Sequence, residues 1–152
     1  PNSSLTTALP SATTEIPKIK NFIEAGHSNA EDILEPVTAL IGLGPGLTPS
    51  GDDFLGGIMI ALNLLEKVEK YRVLASAVEN AASATNDISR AHLNAAAQGV
   101  GAEPLHATIG DVISNRNHAL KASLERLDAI GHCSGWDALT GVGITLRAWL
   151  AE

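Results

Sequence analysis

A mainly α-helical, compact bundle of about seven helices is the fold this sequence predicts, on three observations. Alanine, leucine and isoleucine dominate a chain that is 45% hydrophobic but only 3% aromatic, and the first two are strong helix formers. Apolar residues recur at three- and four-residue spacing through most of the chain. No segment shows the two-residue alternation of a half-buried strand.

The elements follow in order. Residues 1–13 are rich in Ser, Thr and Pro and read as an arm or linker; 14–152 read as a single helical domain. A short helix over 15–25 closes at Gly26. Asn29 caps a helix over 30–40 that Pro36 disturbs. Residues 42–48 are irregular, because glycine alternates with Leu43, Pro45 and Leu47. A long helix follows over 49–70, with Leu55, Ile58, Met59, Leu62 and Leu65 on one face. Further helices are expected over 73–84 and 87–98, the latter ended by Gly99 and Gly101, and over 103–113 and 118–130. After a break at 131–134, the last helix covers 135–150, with Leu139, Val142, Leu146 and Leu150 on one side.

Composition excludes several functions. A chain of 152 residues is one domain's worth and needs no disulfide or metal to fold. The formal net charge is −7, and the ten Lys and Arg are scattered from Lys18 to Arg147. That argues against nucleic acid and against a polybasic membrane contact. Cys133 is the single cysteine, so a reducing, cytoplasmic setting is expected. No run reaches the ~18 apolar residues of a membrane span. The start lacks a basic region followed by an apolar run, so it is not a signal peptide. It also begins at Pro1 rather than methionine, as a processed chain or part of a longer one would.

Two segments echo each other. SGDDFLGGIMIAL at 50–62 and SGWDALTGVGITL at 134–146 match at seven of thirteen positions without gaps, among them Ser50/Ser134, Asp53/Asp137 and Gly57/Gly141. Ile41-Gly42 and Ile130-Gly131 precede them, with a longer loop in the first copy. Ser-x-x-Asp before an apolar run is a capping-box signature, in which the serine accepts a free amide and the aspartate sits in the positive first turn. A glycine inside a helix costs ~1 kcal/mol relative to alanine, and close helix–helix approach would offset it. The two helices are therefore expected to cross near Gly57 and Gly141 and bring their starts together in one site. Chance likeness of two amphipathic helices is the plainer alternative.

The most informative stretch is IGLGPGLTPSGDDFLGG, at 41–57. Gly42, Gly44 and Gly46 permit backbone angles denied to other residues, and Pro45 stiffens the loop between two of them. Thr48 or Ser50 is a candidate helix cap, and Pro49 suits a first turn. Amides at such a start attract anions. The run is neither a Walker loop nor a dinucleotide fingerprint. Asp52 and Asp53 would repel a phosphate, which leaves two readings. Magnesium lies between carboxylate and phosphate, held by Asp52 and Asp53, or one aspartate steadies the helix while the other exchanges protons with the ligand. A capped turn with no ligand is the bland alternative. His132-Cys133-Ser134 forms a second cluster, with His132 as acid or base and Cys133 more readily a passive small residue than a nucleophile. Trp136 reads as packing, Arg90 as a solvent-exposed helix arginine, and His27, His92, His106 and His118 as surface residues without metal-ligand spacing.

At these residues, GLGPGLTPSGDDFLGG and then GHCSGWD, the chain resembles a bacterial domain family, long of unknown function, that includes a subunit of the oxamate carbamoyltransferase of allantoin degradation. The likeness covers residues 35–149. It implies a strand-containing portion ahead of this helical part, and an enzyme of several subunits that moves a carbamoyl group between phosphate and oxamate, with oxalurate as the carbamoylated partner. By motif match, Gly44, Gly46, Thr48, Ser50, Gly51, Asp52, Asp53, His132, Ser134 and Asp137 would line a site. The family commonly has serine where Cys133 stands. The expected function is thus a carbamoyl- or phosphoryl-handling subunit with catalytic Asp52, Asp53 and His132. Gly44, Gly46, Thr48, Ser50, Gly51, Ser134 and Asp137 would hold a small anionic metabolite such as carbamoyl phosphate, oxamate or oxalurate, beside other protein subunits. The rivals are a non-catalytic anion-binding or structural module and, more weakly, a magnesium-dependent hydrolase using Asp52, Asp53 and Asp137.

Overall fold

Three- and four-residue apolar spacing yields helices throughout the computed structural model, which describes residues 10–131 and 133–151. They are α1 (Pro10–Glu24), α2 (Ala30–Leu40), α3 (Ser50–Leu64), α4 (Val68–Ala81), α5 (Asp87–Ala96), α6 (Glu103–Ile113), α7 (Asn117–Asp128) and α8 (Ser134–Leu150), with a short 3-10 turn at Ala82–Ala84. No strand occurs among the described residues, and no helix is long and apolar enough to cross a membrane.

Capping chemistry sets two of the starts. The Asn29 side chain accepts the Glu31 amide at 3.1 Å and opens α2. Asn86 accepts the Ser89 amide at 3.0 Å and opens α5. α1 begins at Pro10, so it takes in residues 10–13 of the segment read as an arm. Residues 1–9 of that segment lie outside the described residues. α2 continues through Pro36, whose ring is buried.

The helix expected over 49–70 is two helices. Glu66 adopts a left-handed conformation (φ 55°). The Lys67 amide donates to the Leu62 carbonyl at 2.9 Å, and the Glu66 amide to the Asn63 carbonyl at 3.1 Å. That pair is a Schellman closure with glutamate where glycine is usual. The sequence therefore carries no glycine to mark the end.

α3 is the axis of the bundle. It packs against α2, α4 and α5, and most extensively against α8. The single apolar face expected for it is too narrow. Phe54, Leu55, Ile58, Met59, Ile60, Ala61 and Leu62 are all buried, as befits a helix apolar all round. Leu65 is half-buried. On α8, Val142 and Leu146 are buried, but Leu150 is 68% exposed at the helix end.

α3 and α8 cross where the internal echo predicts. A Cβ added to Gly57 would lie 2.0 Å from the Ala138 carbonyl oxygen, and one added to Gly141 would lie 2.2 Å from that of Phe54. Each backbone thus rests on the other with no side chain between. The echo extends to the helices that lead in. A Cβ on Gly51 would lie 2.0 Å from the Leu40 carbonyl oxygen at the end of α2, and one on Gly135 would lie 2.5 Å from that of Leu127 near the end of α7. The repeat is a helix–loop–helix unit, α2–α3 and α7–α8.

The capping-box reading needs correction. The helix-start residues are Pro49 and Cys133, and neither start has a side-chain cap bond. Ser50 and Ser134 fall one residue inside their helices, past the position from which a hydroxyl reaches the free amides.

Replacing Gly57 or Gly141 with alanine should destabilise the protein by about 2 kcal/mol or more, because overpacking a backbone contact exceeds the propensity gain. In a chain of this size that lowers Tm by about 4 °C or more. Gly143 lies on the same helix with nothing within 4 Å of an added Cβ, so Gly143→Ala should be neutral or mildly stabilising. Equal melting temperatures for Gly141→Ala and Gly143→Ala would rule out the crossing.

Candidate functional site

The loop between α2 and α3 folds back on the helices it joins. Gly42 (φ 74°) and Gly44 (φ 119°) occupy conformations that L side chains rarely adopt. The Leu43 amide donates to the Leu40 carbonyl at 3.0 Å, and the Gly51 amide to the Leu43 carbonyl at 2.9 Å. A Cβ on Gly44 would lie 2.9 Å from the Ser50 nitrogen. The loop amides at Gly42, Leu43 and Gly51 are therefore spent inside the protein and do not form an open anion nest.

Asp52 lies beneath this loop, 2% exposed. Its Oδ1 accepts the Gly42 amide at 2.8 Å. Its Oδ2 accepts the Thr85 hydroxyl at 2.5 Å and the Ser89 hydroxyl at 2.6 Å. One carboxylate thus ties the glycine loop, the turn after α4 and the first turn of α5 to the start of α3. Three donors to a buried carboxylate satisfy the charge where water cannot reach.

Asp53, one residue on, has a different environment. It is half-buried on the cavity wall, and its Oδ2 is buried without a hydrogen-bond partner. Thr48 Oγ1 and Ser134 Oγ lie 2.8 Å apart, joining the glycine loop to the start of α8 beside it. Burial pushes the Asp53 carboxyl up to about 7, with the charges of Asp137 and Asp52 adding to the push. The hydroxyls of Ser134 and Thr48 oppose it by hydrogen bonding to the ionised form.

These groups stand at the polar end of a cavity of about 500 Å³. Its walls are mostly apolar, from Gly57 and Ile60 of α3, Leu93 of α5, Leu105 of α6, Leu127 of α7 and Ala138 of α8. His92, exposed, reaches its rim. Among the described residues no lysine or arginine lines it. Arg90 pairs with Asp87 and Arg116 with Asp111.

Of the residues expected to form the site, the cavity lining takes in Thr48, Asp52, Asp53 and Ser134. Asp137 is 1% exposed and close enough to repel the Asp53 charge. Gly44, Ser50 and Gly51 shape the loop and helix start behind the lining, and Gly46 has open space around it. His132 lies outside the described residues. Cys133 is half-buried, and the Trp136 indole N–H donates to Asp128 at 2.5 Å. Asp52, filled by its three donors, has little left for magnesium, and no group of three His, Cys, Asp or Glu among the described residues is placed to hold a metal ion. Sequence reasoning gave no role to Thr85 or Ser89 and read His92 only as a surface residue, which it is, at the cavity's edge. The one available signal was an adjacent acidic pair on a helix apolar all round, since a buried carboxylate must recruit donors.

The family model of oxamate carbamoyltransferase subunit AllH matches residues 40–146, more than half of the chain, and the chain belongs to that family. The match begins at the last residue of α2 and takes in α3, α5 and most of α8, hence every cavity residue named above. No solved structure matches the chain.

The Asp53 carboxyl sets a pH dependence. Because its pKa is raised by folding, the folded state holds a proton that the unfolded state releases, and stability falls as pH rises from 3.8 to about 7. Asp53→Asn removes that slope. The variant should melt higher than the parent above pH 7, and the difference should vanish below pH 3.8. Parallel Tm–pH curves for the two proteins would show that Asp53 titrates normally.

Proposed function

We propose that this member of the oxamate carbamoyltransferase subunit family carries the carbamoyl-handling pocket of a multisubunit transferase. The observation that supports this reading most is the meeting of Asp53, Thr48 and Ser134 from the two repeat units at the polar end of one cavity. The reaction joins the amide nitrogen of oxamate to the carbamoyl carbon of carbamoyl phosphate. The carbon–oxygen bond to phosphate breaks, phosphate leaves with the bonding pair, and the nitrogen gives up a proton. Asp53, with its carboxyl held near 7, takes that proton, and returns it in the reverse direction. A general base contributes most when its pKa lies near the working pH. The Thr48–Ser134 pair, joined through one hydroxyl proton, donates the other to the carbamoyl oxygen where charge develops on it. Asp52 acts through the scaffold by fixing loop, turn and helix.

Among the described residues the lining has no lysine or arginine to neutralise carbamoyl phosphate. That favours a chain inactive alone, whose cations come from another subunit or from another part of a longer protein. Turnover should therefore be absent for the isolated chain and appear when the other subunits of the transferase are added. In that assembly Asp53→Asn should lower kcat by about 100-fold or more, the usual worth of a general base, with an unchanged helical circular-dichroism spectrum. Full activity in the variant would remove Asp53 from the mechanism; full activity of the chain alone would refute the shared site.

A further inference from the structure

We propose that the Asp53 end of the cavity receives the uncharged carbamoyl end of the ligand, its N–H groups turned toward the carboxyl, and that the ligand's anionic end points away from Asp53. Three observations lead there. The first is an unmet acceptor. Asp53 Oδ2 is buried without a partner, and a buried carboxylate oxygen gains most from a donor that arrives with the ligand. The second is charge. Asp53 feels Asp137 and Asp52 beside it, and no lysine or arginine among the described residues offsets them in the lining. A carboxylate or phosphate placed there would meet like charge in a water-poor wall of Gly57, Leu127 and Ala138. An uncharged amide pays far less to enter. The third is the hydroxyl pair. Thr48 and Ser134 bond to one another through one proton, and the second hydroxyl proton, which serves the Asp53 carboxylate while the cavity is empty, turns to a carbonyl oxygen once ligand N–H groups serve that carboxylate instead. A carbamoyl group offers N–H donors on one side and a C=O acceptor on the other, which is the complement of this wall.

The orientation rests on the proposed function only for the ligand's identity, so its test measures binding and no turnover. The full chain, labelled with nitrogen-15, is titrated with acetylurea, an uncharged carbamoyl compound, and separately with oxalate and with inorganic phosphate. Acetylurea should shift the backbone amide signals of Asp53, Gly57 and Ser134. Asp53→Ala and Ser134→Ala should each weaken that binding tenfold or more, and the Ser134 variant leaves the buried carboxyl in place should the first fail to fold. Oxalate and phosphate should leave those signals unmoved. If acetylurea shifts none of them up to its solubility limit, or if either anion shifts them with equal affinity, the orientation is wrong. Acetylurea binding without turnover by the assembled enzyme would instead sink the transferase reading and leave the orientation standing.

Discussion

Backbone contact between α3 and α8 is the constraint from which the rest follows. Helices with ordinary side chains at their crossing keep ~8–10 Å between axes. Here each glycine offers nothing, and the Ala138 and Phe54 carbonyls sit in the gaps. Such an approach brings the starts of both helices near enough for Thr48 and Ser134 to bond directly. Glycine in mid-helix is entropically poor, so the arrangement lasts because dispersion between close-packed helices and burial of α3 offset that cost. The polar junction is thus a consequence of packing in the core behind it.

Asp52 and Asp53 show how one helix start makes two different acids. Adjacent residues on a helix point about 100° apart. Asp52 turns toward the loop and α5 and finds three donors; Asp53 turns toward α8 and finds another acid, two hydroxyls and empty space. The first environment gives both carboxylate oxygens hydrogen-bond donors. The second withholds water without supplying enough donors, and the proton stays on to near neutrality. A pair with such divergent surroundings is a common mark of assigned acid–base roles.

What was legible in the sequence were the features that repeat. Helical class, most helix positions and the crossing at Gly57 and Gly141 follow from periodicity and from two glycines placed where helices should not want them. What was illegible depended on partners distant in the chain. Exposed Glu66 ends α3 in a left-handed conformation, without the glycine that would announce it. Ser50 and Ser134 look like caps, yet the helices start one residue earlier than the capping box requires, which frees the Ser134 hydroxyl for Thr48. Thr85 and Ser89 are ordinary residues of a turn and a helix until Asp52 is placed opposite them. The cavity was unreadable for the same reason. Its walls come from five helices, and small residues such as Gly57 and Ala138 leave room only once all five are assembled.

The departures from the repeat are where chemistry becomes available. The two units supply equivalent acids, Asp53 and Asp137, each with its amide bonded to the carbonyl four residues back, Pro49 or Cys133, at 3.1 and 3.0 Å. A strictly symmetric pair would present the same face twice and gain no directionality. The first unit has the longer loop, 41–49 against 129–133, and that loop carries Thr48 across to the second helix. Asp137 is left deep in the crossing at 1% exposed, while Asp53 borders the cavity. One acid then acts on its twin, raising the affinity of Asp53 for a proton. The duplicated scaffold supplies rigidity, and the extra loop residues convert a symmetric contact into a site with an inside, an outside and Asp53 between them.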